Sequence, residues 1–246
     1  MAKISRLERS MRQVDSLKFG KKFNNKKAII FDFDGTLIDS SPDLTLAVNH
    51  MLAQIGRPSF TQDKVHEWVG NGALTLVRRA LSGSVVIDEH LEVAFVENAL
   101  DIFLTFYAQN LCVATQLYPN VKETLTQLQN HGYKLVIVTN KPSDFVAPIL
   151  KGLEIESFFE FYLGADSLEK KKPDPMPLLY VCKKLKIGID ECVMIGDSKN
   201  DIVASKRAKM QSVGVTYGYN YGEDISVYDA DQIVDDIADI LPSFIG

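Results

Sequence analysis

The chain contains 246 residues, of which 46% are hydrophobic and 24% charged, and this length allows one large domain or a domain with an insert. The net charge is −5, so no global basic charge attracts nucleic acid or an anionic membrane. No apolar run is long enough to cross a bilayer, and the three cysteines are too widely spaced for a disulfide framework or a zinc pattern.

Residues 1–27 form a basic N-terminal extension without the apolar core of a signal peptide, so we expect a cytoplasmic protein. Apolar residues recur there at helical spacing, in Ile4, Leu7, Met11, Val14 and Leu17. A basic amphipathic helix of this kind can contact a membrane or a partner. We favour a loosely docked extension, followed by a linker over residues 23–27.

An apolar run at residues 28–31 precedes Asp32 and Asp34, which predicts a buried strand that ends in two carboxylates. Strand side chains alternate between faces, so both carboxylates point the same way and repel each other unless a cation lies between them. Gly35 then lets the backbone approach a ligand. The pattern is typical of a Mg²⁺ site with a carboxylate nucleophile, although Asp-Gly alone also marks an ordinary turn.

The next segment contains helical patterns only, at residues 42–54, 61–68, 73–81 and 88–110, with Ser41 as the expected N-cap of the first. A break at residues 70–72 separates the second from the third. This segment is longer than an ordinary loop. We therefore predict an all-helical cap over residues 43–111, inserted between core segments 28–42 and 112–246.

From residue 118 onward, strands and helices alternate. Strands are predicted at residues 133–138, 159–163, 191–195 and 211–215, and helices at 119–130, 143–150, 175–185 and 200–209, with short segments at 232–234 and 237–241 closing the chain. Such alternation predicts an α/β fold with a doubly wound parallel sheet and helices on both faces.

Polar residues follow several of these strands, where ligands bind in such sheets. Thr139 offers a hydroxyl and nearby amides for phosphate oxygens, and Lys172 precedes a proline that fixes its position. Asp197 lies in a turn, and Asp201 lies one helical turn later. Each alone is compatible with an ordinary strand end or helix cap. Asp197 and Asp201, together with Asp32 and Asp34, form an all-oxygen cluster that suits magnesium.

These motifs, in this order, resemble the motif set of the haloacid dehalogenase superfamily over about residues 28–215. The strings at residues 68–73, 139–142, 145–148 and 215–223 are similar to those of its bacterial phosphoglycolate phosphatases. The N-terminal extension departs from that pattern. The resemblance implies a Rossmann-like core with a helical cap, and a small phosphorylated metabolite as the substrate.

The resemblance also implies roles for particular residues. Asp32 would attack phosphorus and form an aspartyl-phosphate, while Asp34 would act as general acid and base. Mg²⁺ would be held by Asp32, the backbone carbonyl of Asp34 and Asp197. The other phosphate oxygens would bind Thr139, Asn140 and Lys172. Asp201 would orient Lys172 or a metal-bound water.

For 2-phosphoglycolate, the substrate that the resemblance implies, a second anion has to be bound. Backbone amides around Asn71 and Gly72 at a helix start are candidates, assisted by Arg78 or Arg79. The alternative is that the glycines at positions 70 and 72 only end one helix and begin the next.

Other functions stay open at this point. A receiver-type signalling domain also uses a strand-end aspartate, a metal, a threonine and a lysine, but the proton-shuttling Asp34 and the large insert argue against it. A non-catalytic module that binds through the basic N-terminus is another possibility. Within the superfamily, a sugar phosphomutase or a pyrophosphatase is the nearest rival. Monomer and dimer are both compatible with the sequence.

Overall fold

The computed structural model describes residues 23–245. Its strands are β1 (Ala28–Phe31), β2 (Ile38–Asp39), β3 (Gln116–Leu117), β4 (Lys134–Val138), β5 (Phe159–Leu163), β6 (Cys192–Gly196), β7 (Gln211–Val215) and β8 (Gln232–Val234). The helix expected near the N-terminus lies outside the described residues.

The α-helices are α1 (Ser41–Gln54), α2 (Gln62–His66), α3 (Ala73–Ser82), α4 (Val93–Gln109), α5 (Val121–Asn130), α6 (Ser143–Gly152), α7 (Met176–Leu185), α8 (Lys199–Ala208) and α9 (Leu241–Ile245). Short 3₁₀ turns connect several of these elements. Between residues 23 and 245, no helix has both the length and the apolar character that spanning a membrane requires.

The main sheet has six strands in the order β5-β4-β1-β6-β7-β8, and all of its strand pairs are parallel. The chain runs outward from β1 through β4 to β5, then crosses back to β6 on the other side of β1. The carboxyl ends of β4, β1 and β6 therefore flank the point where the strand order reverses, which is where ligands bind in such sheets. The predicted doubly wound α/β fold is confirmed.

Both faces of the sheet are buried, as the unbroken apolar sequence of β1 requires. Ile29 and Phe31 pack in a cluster with residues of α5, α6 and α9, whereas Ala28 and Ile30 pack in a second cluster with residues of α7 and α8. This arrangement follows from the alternation of side chains along a strand. It fixes β1 at the centre of the core.

Helices α1 to α4 form the helical cap and share a separate apolar cluster that includes Met51, Trp68, Phe103 and Tyr107. Residues 43–111 contain no strand, as the sequence indicated. The core residues Phe145 and Tyr219 also join this cluster. The cap is therefore seated on the core by apolar contacts, and the exact boundary at residues 43 and 111 stays a prediction.

A two-stranded antiparallel ribbon, β2 with β3, pairs the two chain segments that connect core and cap, and the sequence did not predict it. The buried carboxylate of Asp43 reinforces this crossing. It accepts hydrogen bonds from the backbone amides of Val113, Ala114 and Thr115 at 2.8–3.1 Å and from the Thr115 hydroxyl at 2.7 Å. The outgoing and returning connections are thus tied to each other.

One predicted N-cap and one predicted helix start were wrong. Ser40 rather than Ser41 is the N-cap of α1, which begins at Ser41, and the Asp39 carboxylate accepts from the Ser41 amide and hydroxyl. Helix α4 begins at Val93 rather than at residue 88. Asp88 instead closes a local turn by accepting from the amide of His90, two residues on.

The interpretation of residues 23–27 as a plain linker was also wrong for its first residue. Phe23 is 1% exposed, its ring stacks on Phe244 with centroids 5.0 Å apart, and its amide donates to the Ser243 carbonyl at 3.1 Å. Lys27 continues β1 in that its amide and carbonyl bond to Glu191 and Lys134. Phe23 therefore belongs to the core.

We expect Phe23→Ala to lower the free energy of unfolding by about 3 kcal/mol, because a buried aromatic ring is removed and a cavity is left. In a domain of this size that corresponds to a fall in Tm of about 6–12 °C. Thermal unfolding of Phe23→Ala is compared with that of Asn24→Ala, whose side chain is exposed. Equal Tm values would show that the Phe23 contact contributes nothing, and that the core begins after it.

Candidate active site

The carboxyl ends of three adjacent strands bring the main predicted site residues together. Asp32 follows β1, Thr139 follows β4 and Asp197 follows β6. Lys172 enters from the loop between β5 and α7, and Asp201 lies in the first turn of α8. All five side chains are buried, so the charges of the three aspartates and of Lys172 face one another rather than water.

Asp32 has one engaged oxygen and one free oxygen. Its Oδ1 accepts from the Phe33 amide at 2.7 Å and lies 2.9 Å from Lys172 Nζ. Among residues 23–245, no donor binds Oδ2. Burial raises the pKa of Asp32 well above its ordinary value, and Asp201 adds to this effect while Lys172 opposes it. The free oxygen is therefore the one available to a ligand.

Lys172 is shared between Asp32 and Asp201, whose Oδ1 lies 2.6 Å from the Lys172 ammonium. The other oxygen of Asp201 accepts from the Ser198 amide and hydroxyl at 3.1 and 2.8 Å. Burial alone would lower the pKa of Lys172, but the two carboxylates outweigh it and the pKa is raised. Both Asp201 oxygens are thus occupied within the protein, which suits a residue that orients Lys172.

Asp197 accepts from the Thr36 hydroxyl at 2.9 Å and from the Tyr219 amide at 2.7 Å. Burial, followed by the charge of Asp201, raises the pKa of Asp197 to about 7. These two donors hold its carboxylate in one orientation. The Asp197 side chain is therefore fixed in position, but both of its hydrogen-bond donors are uncharged.

Glycines allow this packing of carboxylates. A Cβ at Gly196 would lie 2.2 Å from Asp201 Cγ, and one at Gly218 would lie 2.1 Å from Asp197 Cβ. At Gly35, whose φ of +87° already disfavours other residues, a Cβ would lie 2.4 Å from an Asp197 oxygen. Only hydrogen fits at these three positions.

Carboxylate oxygens of Asp32, Asp197 and Asp201 lie within 4.8 Å of one another, so the three residues could hold a metal ion. One lysine, Lys172, neutralises only part of their charge. Oxygen ligands of this kind suit a hard divalent cation. The donor set therefore fits the metal that the sequence predicted, with the difference that the side chain of Asp34 is not part of this group.

The carboxylate of Asp34 faces another way. Its Oδ1 accepts from the Ser40 hydroxyl at 2.6 Å and from Lys141 Nζ at 2.9 Å, and Oδ2 lies 3.3 Å from the same ammonium. Lys141 was not predicted as a site residue. The available signal was its position two residues beyond Thr139, at a strand end. Its ammonium also donates to the Tyr107 hydroxyl of the cap at 2.6 Å.

A cavity that is partly open to solvent lies between the core and the cap. The core contributes its polar lining, including Asp32, Asp34, Thr139, Asn140 and Lys141. The cap contributes Val69, Gly70, Gly72, Ala73, Leu76, Phe103 and Tyr107, which are mostly apolar. A small ligand held in this cavity is therefore enclosed by both parts of the molecule.

The cap residues predicted for substrate binding are only partly placed at the cavity. Gly72 lines it and precedes α3, and a Cβ there would lie 3.0 Å from the Asn140 carbonyl. The Asn71 carbonyl accepts from Lys171 at 2.9 Å. Arg78 is not among the lining residues, and Arg79 instead donates to carbonyls within the cap. Neither arginine lines this cavity, and their contact with a ligand stays a prediction.

Asn140 links the cap loop at residues 70–72 to the site at the strand ends. Its side-chain amide donates to the Lys172 carbonyl at 3.0 Å and to the Gly70 carbonyl at 3.3 Å. Its buried Oδ1 has no hydrogen-bond partner among residues 23–245. Asn140 thus fixes the position of the loop at residues 70–72 over the strand ends.

Comparisons with known proteins agree on one family. A family model described as haloacid dehalogenase-like hydrolase matches residues 29–215. A phosphoglycolate phosphatase of Colwellia psychrerythraea is 50% identical over 222 residues, which cover 90% of this chain and 98% of that protein. One of Vibrio cholerae is 44% identical over 215 residues, with 87% and 95% covered. The crystal structure of a predicted phosphoglycolate phosphatase from Haemophilus somnus has a TM-score of 0.82 at 41% identity and covers 89% of this chain and 97% of that one.

We expect a divalent cation bound by Asp32 and Asp197 to stabilise the protein. Because the pKa of Asp197 is about 7 without a cation, its carboxyl is protonated below that pH and binding must displace the proton. The rise in Tm on adding Mg²⁺ should therefore be larger at about pH 8 than at about pH 6.

Asp197→Asn should abolish this cation-dependent rise in Tm. Asp229→Asn is the control: it removes an exposed carboxylate that pairs with Lys206 at the surface, and it should keep the cation-dependent rise in Tm. A rise that persists in Asp197→Asn would place the cation elsewhere.

Proposed function

The chain belongs to the haloacid dehalogenase-like hydrolase family, and we propose that it is a Mg²⁺-dependent phosphatase that hydrolyses 2-phosphoglycolate to glycolate and phosphate. The observation that carries the chemistry is the free Oδ2 of Asp32, held beside Lys172 at the end of β1. The substrate is supported by the two relatives named phosphoglycolate phosphatase, which match this chain over nearly their whole length.

In the proposed mechanism, Asp32 Oδ2 attacks phosphorus while the bond between phosphorus and the ester oxygen breaks. The product is an aspartyl-phosphate on Asp32. Lys172, whose ammonium already contacts the other oxygen of Asp32, binds a phosphate oxygen together with the Thr139 hydroxyl and the backbone amide of Asn140. Asp201 keeps the Lys172 ammonium in position through the 2.6 Å contact.

Asp34 supplies the proton that the leaving alkoxide needs. It lines the same cavity as Asp32, and its carboxylate is held by Ser40 and Lys141 rather than by the cluster of three aspartates. In the second half of the reaction it takes a proton from the water that attacks the aspartyl-phosphate. Phosphate then leaves, and Asp32 is regenerated.

Magnesium would be held by the carboxylates of Asp32 and Asp197 and by the backbone carbonyl of Asp34. When bound, it supplies positive charge that offsets the carboxylates and the transferring phosphoryl group. Asp201 is not assigned as a ligand, because the Lys172 ammonium contacts one of its oxygens and two Ser198 donors bind the other. Each Asp197 oxygen, in contrast, accepts one hydrogen bond from an uncharged donor.

We expect Asp32→Asn to lower kcat by at least about 1,000-fold, which corresponds to about 4 kcal/mol, because the nucleophile is lost. Asp34→Asn should allow some phosphoenzyme to form but should slow both formation and hydrolysis by about 100-fold or more. Steady-state hydrolysis and trapping of phosphoenzyme measure these effects, with the exposed Asp101→Asn as a control. Near-normal turnover by folded Asp32→Asn would refute the mechanism.

The substrate is tested separately with a panel of phosphate esters, assayed with and without Mg²⁺. We expect kcat/KM for 2-phosphoglycolate to exceed that for hexose phosphates and for pyrophosphate by at least about tenfold, or about 1.4 kcal/mol of transition-state stabilisation. A hexose phosphate isomerised rather than hydrolysed would indicate a phosphomutase. Preference for pyrophosphate would also overturn the proposed substrate.

A further inference from the structure

Lys141 is the only residue with a cationic side chain among those that line the cavity in the described part of the chain. The cap lining is largely apolar, and the lining aspartates repel an anion. A ligand that carries a negative charge beyond its phosphate therefore has one strong partner in this cavity. That partner belongs to the core, although substrate recognition was expected from the cap.

The Lys141 ammonium can bind an additional acceptor. It has three hydrogens, and its contacts are Asp34 Oδ1 at 2.9 Å, the Tyr107 hydroxyl at 2.6 Å and Asp34 Oδ2 at 3.3 Å. The longest of these is the weakest, and an incoming carboxylate oxygen can replace it without breaking the ion pair with Oδ1. The side chain of Lys141 is 3% exposed, so this charge is not screened by bulk water.

The Tyr107 hydroxyl offers a second donor. It accepts from Lys141, and within residues 23–245 no hydrogen bond is found in which it donates. Burial raises the pKa of Tyr107 to about 12, so the hydroxyl keeps its proton at neutral pH. Its ring is held against Phe103 and Phe145 at centroid distances of 5.7 and 5.2 Å, which fixes where the hydroxyl lies.

The distance to Asp34 fits one class of leaving group. In the proposed reaction, Asp34 hydrogen-bonds the ester oxygen of the substrate, and this inference rests on that proposed function. In 2-phosphoglycolate the carboxylate carbon is two bonds from the ester oxygen. Lys141 Nζ also lies at hydrogen-bond distance from Asp34, so a carboxylate two bonds from the ester oxygen is within reach of it.

We propose that Lys141 Nζ and the Tyr107 hydroxyl form the subsite for a carboxylate attached next to the phosphoester carbon, so that Lys141 determines specificity for a short anionic leaving group. The two donors lie 2.6 Å apart, so both can bind one carboxylate. Tyr107 belongs to the cap and Lys141 to the core, so the anion also bridges the two parts of the molecule.

The test compares 2-phosphoglycolate with 2-hydroxyethyl phosphate, in which an uncharged hydroxymethyl group replaces the carboxylate. In Lys141→Met, the ratio of kcat/KM values for the two substrates should fall about 10- to 100-fold, mainly through KM for 2-phosphoglycolate, as expected for a lost charge-assisted hydrogen bond. Tyr107→Phe retains the Lys141–Asp34 pair and should lower the same ratio about fivefold. Lys64→Met, which replaces a half-exposed cap lysine, is the control.

Each other outcome overturns the inference. Equal losses for both substrates in Lys141→Met would mean that Lys141 only positions Asp34, and no loss for either substrate would place the carboxylate at the start of α3. If either result is found while the wild-type enzyme prefers 2-phosphoglycolate, the subsite assignment is wrong and the proposed function stands. A wild-type enzyme without that preference removes the proposed function as well. If Lys141→Met does not fold, the ratio in Tyr107→Phe decides.

Discussion

The site depends on one buried ammonium group, that of Lys172, which is shared by Asp32 and Asp201. A lysine buried without partners would lose its charge, and carboxylates buried without a cation would repel one another. The other oxygen of Asp201 accepts from Ser198, so both Asp201 oxygens are hydrogen-bonded in the pair of Lys172 and Asp201. Lys172 does not balance the negative charge of both Asp32 and Asp197. The remaining charge favours binding of a cation, which can in turn bind a phosphoryl group.

Much of the fold and of this cluster could be predicted because the signals are local in the sequence. An apolar run followed by aspartates identifies the end of β1, and strand–helix alternation identifies a parallel sheet. A parallel sheet then places Asp32, Thr139 and Asp197 on one edge without any knowledge of their side-chain contacts. The strand ends are therefore predictable even though they are far apart in the chain.

The residues that were missed depend on contacts that no local pattern encodes. Lys141 acquires its environment from Asp34, 107 positions away, and from Tyr107, 34 positions away. Arg78 was chosen by its charge, but the direction in which a helical side chain points is set by the packing of the whole cap. Phe23 lies in a polar, basic stretch, and only its stacking on Phe244 near the other end of the chain shows that it is part of the core.

The contacts between cap and core hold the cap in place and also involve residues of the site. Asn140 connects the loop at residues 70–72 to the strand ends, and Lys141 connects Tyr107 to Asp34. Any displacement of the cap therefore changes the surroundings of the proposed acid–base residue directly. Enclosure of a ligand and the position of the acid–base residue therefore depend on the same contacts between cap and core.

The glycines around the aspartates restrict how this protein can vary. Every amino acid other than glycine carries a Cβ, so Gly35, Gly196 and Gly218 have no conservative replacement, and each possible missense change there forces the carboxylates apart. Two glycines of the cap lining share this restriction, because a Cβ at Gly70 would lie 2.7 Å from the Tyr221 hydroxyl and one at Gly72 would lie 3.0 Å from the Asn140 carbonyl. The apolar side chains Val69, Leu76 and Phe103 do not, so mutation at these positions can reshape the cavity without disturbing the packing of the aspartates.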